Sequence, residues 1–243
     1  MSEPAPLRPR DRGWHPPALS PDYRSTTLRA PTRPLVVLEQ TLSELTGPVF
    51  GHDMLGSLDN DLIRNFARPG AEALGARILI HGQVMDEDGR GVPGALVECW
   101  QANAAGRYRH VKDGYTAPLD PNFAGCGRTI TDAEGGYLFH SIRPAPYPWP
   151  NGPNAWRPAH IHFSLFGPSF AQRLITQMYF EGDPLISLCP IVQSVPVPEA
   201  VEALTAKMDM GATRPMDAIA YRFDMVLRGR RATPFENRSE GMR

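Results

Sequence analysis

The segment ARILIHGQVMDEDGRGVPGALVECWQAN, residues 76–103, decides the fold class. Apolar and β-branched residues lie on both sides of the turn sequence DEDGRG, and Asp-Gly is a strong turn signal. The pattern predicts a strand at 77–85, a turn, and a second strand at 94–101 that pairs with the first as a hairpin.

The same theme recurs downstream. GRTITDAEGGYLFHSI (127–142) repeats strand, turn and strand, and three more strand-like segments follow: AHIHFSLFG (159–167), QRLITQMYFE (172–181) and DAIAYRFDMVLRG (217–229). At least seven short strands with turn signals between them predict a mainly β chain, and specifically an antiparallel β-sandwich of the transthyretin or immunoglobulin type with long loops.

The remaining segments carry weaker patterns. Residues 1 to about 34 are rich in proline and arginine, so we expect an extended arm that needs another surface to become ordered. Residues 42–67 suggest a turn or two of helix, and 198–209 has helical spacing, with Val201, Leu204 and Met208 on one face. The predicted division is an arm with an irregular, partly helical segment at 1–70 and a sandwich domain with a C-terminal extension at 71–243.

Composition limits the function. Of 243 residues 42% are hydrophobic, and the net charge of -1 argues against a nucleic-acid or anionic-membrane surface. The sequence has no apolar run of 18 residues and no signal-peptide core, so we expect a cytoplasmic protein. Cys99, Cys126 and Cys189 are odd in number and lack C-x-x-C spacing, which predicts reduced cysteines packed as small hydrophobes.

A histidine pair stands in the apolar run RPAHIHFSLFG, residues 157–167. Side chains at i and i+2 of a strand share a face, so His160 and His162 are expected side by side, with Ile161 and Phe163 facing the other way. Two neutral imidazoles on one face are half of a typical metal site, although two structural histidines also fit this pattern.

Further ligands would have to come from other segments, because no H-E-x-x-H motif, thiolate cluster, phosphate loop or G-x-S-x-G turn is present. Two tyrosines have unusual neighbours: Tyr108 lies in NAAGRYRH and Tyr147 lies between prolines in APYPWPN. Proline fixes φ and stiffens a loop, which suits an aimed side chain. A half-buried ring with a hydrogen-bonded hydroxyl is the alternative for each.

Long blocks of the chain resemble the intradiol ring-cleaving dioxygenases. They include RDRGWHPPALSPDY (10–23), HGQVMDEDGRGVPGALVECWQANAAGRYRH (81–110), APLDPNFAGCGRTITDAEGGYLF (117–139), PYPWPNGPNAWRPAHIHFSLFGPSF (146–170), LITQMYFEGDPL (174–185) and AYRFDMVLRGRRATPFEN (220–237). Such blocks in one order are more specific than any short motif.

The resemblance implies a single non-haem Fe(III) per chain, bound by two tyrosinates and two histidines. Matched by motif, these ligands are Tyr108, Tyr147, His160 and His162, with water or hydroxide in a fifth position. Hard phenolate oxygen suits the ferric state. A catechol would replace the hydroxide and Tyr147, and the ring would then be cleaved by O2 between its two hydroxyl-bearing carbons.

By the same resemblance, other residues line the substrate pocket. Arg157 lies near the substrate ring, where a fixed cation stabilises negative charge, and Gln177 lies beside the iron. Trp149 and Ile191 form pocket walls, and Tyr23 of the arm reaches a substrate carboxylate. One departure is Pro150, where relatives commonly carry a basic residue; the loop is expected to be stiffer and the pocket mouth less positive.

Within the family, the short arm fits the branch that cleaves protocatechuate (3,4-dihydroxybenzoate) in aromatic-compound catabolism, the β-ketoadipate pathway. Catechol and hydroxyquinol dioxygenases instead carry a long helical N-terminal region. In the protocatechuate branch an iron-bearing β subunit pairs with a homologous α subunit in a larger assembly. Three alternatives stay open: an intradiol dioxygenase that acts on catechol or hydroxyquinol, a non-catalytic transthyretin-like binding module, and a zinc hydrolase that uses the histidine pair.

Overall fold

The computed structural model describes residues 11–33, 54–167 and 173–234. The chain is mainly β, with eleven strands in these ranges: β1 Arg77–Met85, β2 Leu96–Gln101, β3 Cys126–Ile130, β4 Gly136–Ile142, β5 Tyr147–Pro148, β6 Trp156–Arg157, β7 His160–Phe166, β8 Arg173–Phe180, β9 Thr205–Met208, β10 Ile219–Arg222 and β11 Met225–Val226. The helical elements are short: α1 Thr26–Arg29, a 3-10 turn Ile186–Leu188, α2 Pro190–Gln193 and α3 Pro198–Glu202.

Nine strands form one sheet in the order β11-β1-β10-β9-β8-β7-β2-β3, with β4 on the other side of β1. The remaining two, β5 and β6, pair with each other. The β1–β10, β1–β11 and β8–β9 pairs are parallel and the others antiparallel. The predicted mainly β class is therefore confirmed. The prediction that the strands are all antiparallel is wrong.

The predicted hairpin between β1 and β2 is also wrong. Strand β1 pairs with β4 and with β10 and β11, so neither of its edges is left for β2, which pairs with β3 and β7. A single antiparallel bridge, Met85 to Gly91, remains of the hairpin. The chain then leaves through Pro93 and Gly94, whose φ of 68° suits glycine. The turn between β3 and β4 likewise joins strands that pair with other neighbours.

The core lies between two halves of the sheet. One half contains β1, β4 and β10, and the other contains β2, β3, β7 and β8. Phe163 of β7 contacts the rings of Tyr137 and Phe139 of β4, at centroid distances of 6.0 and 6.2 Å, and Phe223 at 5.6 Å. All four side chains are buried in one apolar cluster. Because rings from β4 and β7 meet there, their burial holds the two halves together.

The helix predicted over 198–209 is shorter than expected. Helix α3 ends at Glu202, and residues 205–208 form β9, which pairs with Tyr179 and Phe180 of β8 and with β10. Strand β9 fills the gap between β8 and β10, so backbone pairing outweighs the helical spacing of Leu204 and Met208. Of the weak helical segment 42–67, residues 42–53 lie outside the described ranges, and 54–67 form turns without an α-helix.

The predicted arm is described at residues 11–33. These residues pack against the rest of the chain. The Trp14 indole N–H donates to the carbonyl of Ala232 (2.8 Å), and the side chain of Tyr23 is buried. The arm is therefore ordered by its contacts with residues far away in sequence.

The three cysteines are unpaired, as predicted. Cys99 and Cys189 are buried, but Cys126 is exposed and does not pack as a hydrophobe. Across the ranges that the structure describes, no helix has the length and apolarity needed to cross a membrane.

Gly82 marks a close approach between β1 and the chain after β10. A Cβ at this position would lie 2.0 Å from the carbonyl oxygen of Phe223, a backbone atom that cannot rotate away. We therefore expect Gly82→Ala to lower the free energy of unfolding by about 1–3 kcal/mol. Urea unfolding measures this; Gly114→Ala, where a Cβ meets nothing within 4 Å, is the control. Equal stability of the two variants would contradict the prediction.

Candidate metal centre

Strand β7 carries the two histidines side by side. The imidazole centroids of His160 and His162 lie 4.9 Å apart, while Ile161 and Phe163 are fully buried in the apolar core. Across the neighbouring strand β8, His160 lies opposite Tyr179 and His162 opposite Gln177. The period-2 geometry of the strand thus brings two imidazoles together.

Both singled-out tyrosines reach the histidine pair. The Tyr147 hydroxyl lies 3.3 Å from Nε2 of His160. The Tyr108 ring packs edge-on against Tyr147 at a centroid distance of 5.5 Å and lies 6.3 Å from the ring of His162. Four side chains from three separate segments therefore form one cluster.

Local chemistry explains how Tyr108 reaches the cluster. Gly106 has a φ of 81°, and a Cβ there would lie 2.5 Å from the carbonyl oxygen of Pro146. Only glycine allows the loop after β2 to approach the Tyr147 segment so closely. The carboxylate of Asp113 then accepts the backbone N–H of Tyr108 at 2.8 Å, which fixes the end of the loop.

The tautomer of His160 follows from its second ring nitrogen. Nδ1 lies 2.7 Å from the carbonyl oxygen of Pro158, which only accepts, so Nδ1 carries the proton. Nε2 therefore presents a lone pair to the cluster, as a metal ligand must. Burial, followed by the nearby Arg157 and His162, holds the pKa of His160 well below its usual range, which keeps the ring neutral.

Tyr108 is the strongest sign that a cation belongs here. Its buried hydroxyl lies beside the Tyr147 hydroxyl and makes no further hydrogen bond to any residue in the described part of the chain. Burial, and next the charge of Tyr147, raise the pKa of Tyr108 well above its usual value. A phenol buried in this position is costly as an anion unless a positive charge lies nearby.

The donor set suits a ferric ion. Two phenol oxygens and two imidazole nitrogens supply hard and borderline ligands, the combination that favours Fe(III). No group of three or more His, Cys, Asp and Glu side chains able to hold a metal occurs among the described residues. A zinc site of the usual ligand types is therefore not formed by these residues, and the tyrosines are needed to complete a ligand set.

A second cluster adjoins the histidines. The buried Arg157 donates from Nη2 to Oε1 of Gln177, and the Tyr179 hydroxyl donates to the same oxygen at 3.0 Å. Arg157 Nη2 also lies 3.4 Å from the Tyr179 hydroxyl. The buried guanidinium of Arg157 is thus held beside His160 by Gln177 and Tyr179, two neutral partners.

Pocket-wall residues lie next to this cluster. The guanidinium of Arg157 lies 5.5 Å from the centre of the Trp149 ring, and the Tyr23 ring meets Trp149 edge-on at 5.6 Å. Ile191 is buried in the same apolar cluster as Tyr23 and Tyr179. A cavity of about 20 Å³ touches Tyr23, Gln177 and Ile191. All nine residues singled out in the sequence therefore lie in two adjoining clusters.

Two contacts in these clusters were not predicted from the sequence. Tyr179 belongs to the Arg157 cluster, and alternation with Gln177 along β8 would have placed both on one face. Trp100 stacks on the His162 ring at 4.9 Å with the planes 2° from parallel. It lies opposite His162 across β2 and β7, a pairing that no local pattern shows.

Comparison with known proteins identifies the family. Residues 45–229 match the family model described as Dioxygenase, and residues 8–41 match the model Protocatechuate 3,4-dioxygenase beta subunit N terminal. The chain belongs to the intradiol ring-cleavage dioxygenase family. The protocatechuate 3,4-dioxygenase beta chain of Burkholderia cepacia is 53% identical over 97% of this chain and all of its own length. The alpha chain of Pseudomonas putida is 30% identical over 83% of this chain and 98% of its own.

Solved structures of the dioxygenase family share the fold. The 3-chlorocatechol 1,2-dioxygenase of Rhodococcus opacus has a TM-score of 0.53 at 24% identity, covering 83% of this chain and 76% of its own. The hydroxyquinol 1,2-dioxygenase of Pseudomonas putida has a TM-score of 0.51 at 23% identity, covering 84% and 70%. At such identities the likeness concerns the fold.

Proposed function

We propose that this dioxygenase is the iron-bearing beta subunit of a protocatechuate 3,4-dioxygenase. The reaction is intradiol cleavage of 3,4-dihydroxybenzoate by O2 to 3-carboxy-cis,cis-muconate, a step of the β-ketoadipate pathway. The observation that carries the proposal is the cluster of Tyr108, Tyr147, His160 and His162, in a chain 53% identical over nearly its whole length to a beta chain of that enzyme.

In this proposal Tyr108, Tyr147, His160 and His162 hold one non-haem Fe(III). When bound, the ion supplies the Lewis acidity that draws a catecholate into the site and makes its ring reactive towards O2. Tyr147 is the ligand suited to move, because its short strand pairs only with β6. As a phenolate released from the ion, Tyr147 would take up the proton of a catechol hydroxyl at its Oη.

The neighbouring residues bind and orient the substrate. Arg157 offers a fixed, buried cation for negative charge that develops on the ring, and Gln177 and Tyr179 hold the guanidinium in place. Trp149 and Ile191 exclude water from the ring, and Tyr23 meets the carboxylate. Pro150 leaves the pocket mouth less positive than in relatives with a basic residue there.

The wider assignments are part of the same proposal. The partner is a homologous alpha subunit, in αβ protomers of a larger assembly; the 30% identity to an alpha chain supports a common origin of the two subunits. The two facing halves of the sheet form a transthyretin-like sandwich at 71–243, the arm and irregular segment occupy 1–70, and the protein works in the cytoplasm.

Colour tests the iron assignment. The protein purified with its alpha partner should be red-brown, because charge transfer from tyrosinate to Fe(III) absorbs visible light, and should consume O2 with protocatechuate. A colourless, iron-free preparation would overturn the assignment. Faster turnover of plain catechol than of protocatechuate would leave the iron in place but reject the substrate.

Tyr108→Phe should weaken and shift the visible absorption while Tyr147 preserves part of it. The buried hydroxyl of Tyr108 interacts with Tyr147 and makes no further hydrogen bond among the described residues, so the metal-free protein should lose about 1 kcal/mol of stability or less. Absorption spectra and thermal unfolding measure the two effects. Tyr115→Phe, a half-exposed tyrosine of the same loop, is the control, and identical spectra for both variants would contradict the ligand role.

A further inference from the structure

The Asn151 side chain joins the arm to the loop that carries Tyr147. Its Oδ1 accepts the backbone N–H of Arg24 at 2.9 Å, and its Nδ2 donates to the carbonyl of Asp22 at 2.8 Å. The side chain is buried, at 8% exposure. These two backbone groups flank Tyr23, so one amide holds the chain on both sides of the arm's tyrosine.

The turn around Tyr23 has its own internal bonds. The Thr26 hydroxyl lies 2.7 Å from the carbonyl of Ser20 and 2.8 Å from that of Tyr23, and the Tyr23 N–H donates to Ser20 at 2.9 Å. These bonds fix the shape of the turn but not its place on the protein. Asn151 supplies hydrogen bonds that attach the turn to the pocket loop.

The loop that holds Asn151 is stiff. Tyr147, Trp149 and Asn151 alternate with Pro148 and Pro150, whose rings fix φ at every second residue. The Asn151 N–H donates to the carbonyl of Trp149 at 2.8 Å. The five residues 147–151 therefore include a candidate iron ligand (Tyr147), a pocket-wall residue (Trp149) and the residue that binds the arm (Asn151).

Contacts between rings complete the connection. Tyr23, held by Asn151, meets Trp149 edge-on at 5.6 Å, and Trp149 lies beneath the guanidinium of Arg157. A displacement of the turn would move Tyr23 away from Trp149 and open the pocket wall. Burial of both Tyr23 and Asn151 means that this displacement also exposes apolar surface.

We propose that Asn151 is a positioning residue that holds Tyr23 against Trp149 and thereby sets the preference for catechols that carry a carboxylate. The identity of the substrate rests on the proposed function, whereas the attachment of the arm rests on the two hydrogen bonds. Asn151 touches no substrate in this scheme; it acts through the arm.

The test uses Asn151→Ala and Asn151→Asp in the complex with the alpha subunit. Both should raise KM for protocatechuate about tenfold, as expected for a lost buried hydrogen bond, and change kcat little. KM for plain catechol, which has no carboxylate, should rise much less than KM for protocatechuate, and the visible spectrum should stay the same. The aspartate of Asn151→Asp has the volume of asparagine, but its carboxylate cannot donate to the Asp22 carbonyl. This variant therefore tests the hydrogen bond without changing the packing.

Proteolysis reports on the arm without any activity. Trypsin should cleave at the exposed Arg24 and Arg29 about tenfold faster in both variants than in the unsubstituted protein. The control is Asn122→Ala, which removes an amide that accepts the N–H of Arg68, away from the arm. Asn151→Asp keeps the test open if the alanine variant does not fold.

The outcomes are distinct. Unchanged cleavage and unchanged KM in Asn151→Ala would overturn the proposal, as would an Asn151→Asp variant that behaves like the unsubstituted protein. If the complex proves colourless and inactive, the proposed function fails, and the difference in cleavage between Asn151→Ala and Asn122→Ala still decides whether Asn151 holds the arm.

Discussion

Replacing His160 by alanine should abolish iron binding and turnover together. His160 presents Nε2 to the cluster, and its Nδ1–H is fixed by the carbonyl of Pro158 at 2.7 Å. Loss of an outer-shell partner alone typically costs about 10–100-fold in metal affinity, so loss of a ligand should exceed 100-fold. Metal analysis, visible absorption and O2 uptake of the complex with the alpha subunit measure the effect.

Two variants separate this result from a folding defect. His160→Gln keeps most of the volume and a donor for Pro158, so it should fold and still lose iron. His140→Ala removes another strand histidine, on β4 near Asp61, and should retain iron and colour. Full iron content in His160→Ala would show that the histidine is structural, the alternative that the sequence left open.

Phe163→Ala should give the largest loss of stability, about 3–5 kcal/mol. The ring is fully buried on the face of β7 opposite the histidines and contacts Tyr137, Phe139 and Phe223. Its removal leaves a cavity where the two halves of the sheet meet. Denaturant unfolding of the metal-free chain measures the cost.

The comparison variants are Phe163→Leu, which keeps most of the side-chain volume and should lose less, and Phe66→Ala, whose ring is 47% exposed and should lose least. Because His160 and His162 are on the same strand as Phe163, the alanine variant should also bind iron more weakly. A stability close to that of Phe66→Ala would mean that the ring does not hold the halves together.

The longer strands were predictable from the sequence, whereas β5, β6 and β9 were not. Strand β1 begins and ends at the predicted residues, and the histidine pair lies on one face of β7, because both follow from period-2 alternation. The alternation of apolar and polar residues along a strand does not show which strand it pairs with. The adjacent strands β1 and β2 were therefore expected to pair, whereas β1 pairs with β4 and β10.

Tertiary contacts explain the remaining differences. Residues 205–208 have helical spacing but form a strand between β8 and β10, where unpaired backbone groups outweigh propensity. Within the candidate site, motifs in the family blocks singled out nine residues. Trp100 and Asn151 could not be found in this way, because their contacts join segments far apart in the chain.

The candidate ligands differ in how firmly their backbone is held. Strand β7 is paired on both sides, with β2 and β8, while Tyr147 lies on a strand of two residues that pairs only with β6. Amide hydrogen exchange should therefore be slow at His160 and His162 and faster at Tyr147, since opening β5 breaks fewer strand hydrogen bonds than opening β7. Local opening of Tyr147 would then cost far less than unfolding of the sheet, a difference that suits a candidate ligand that exchanges beside two histidines that stay fixed.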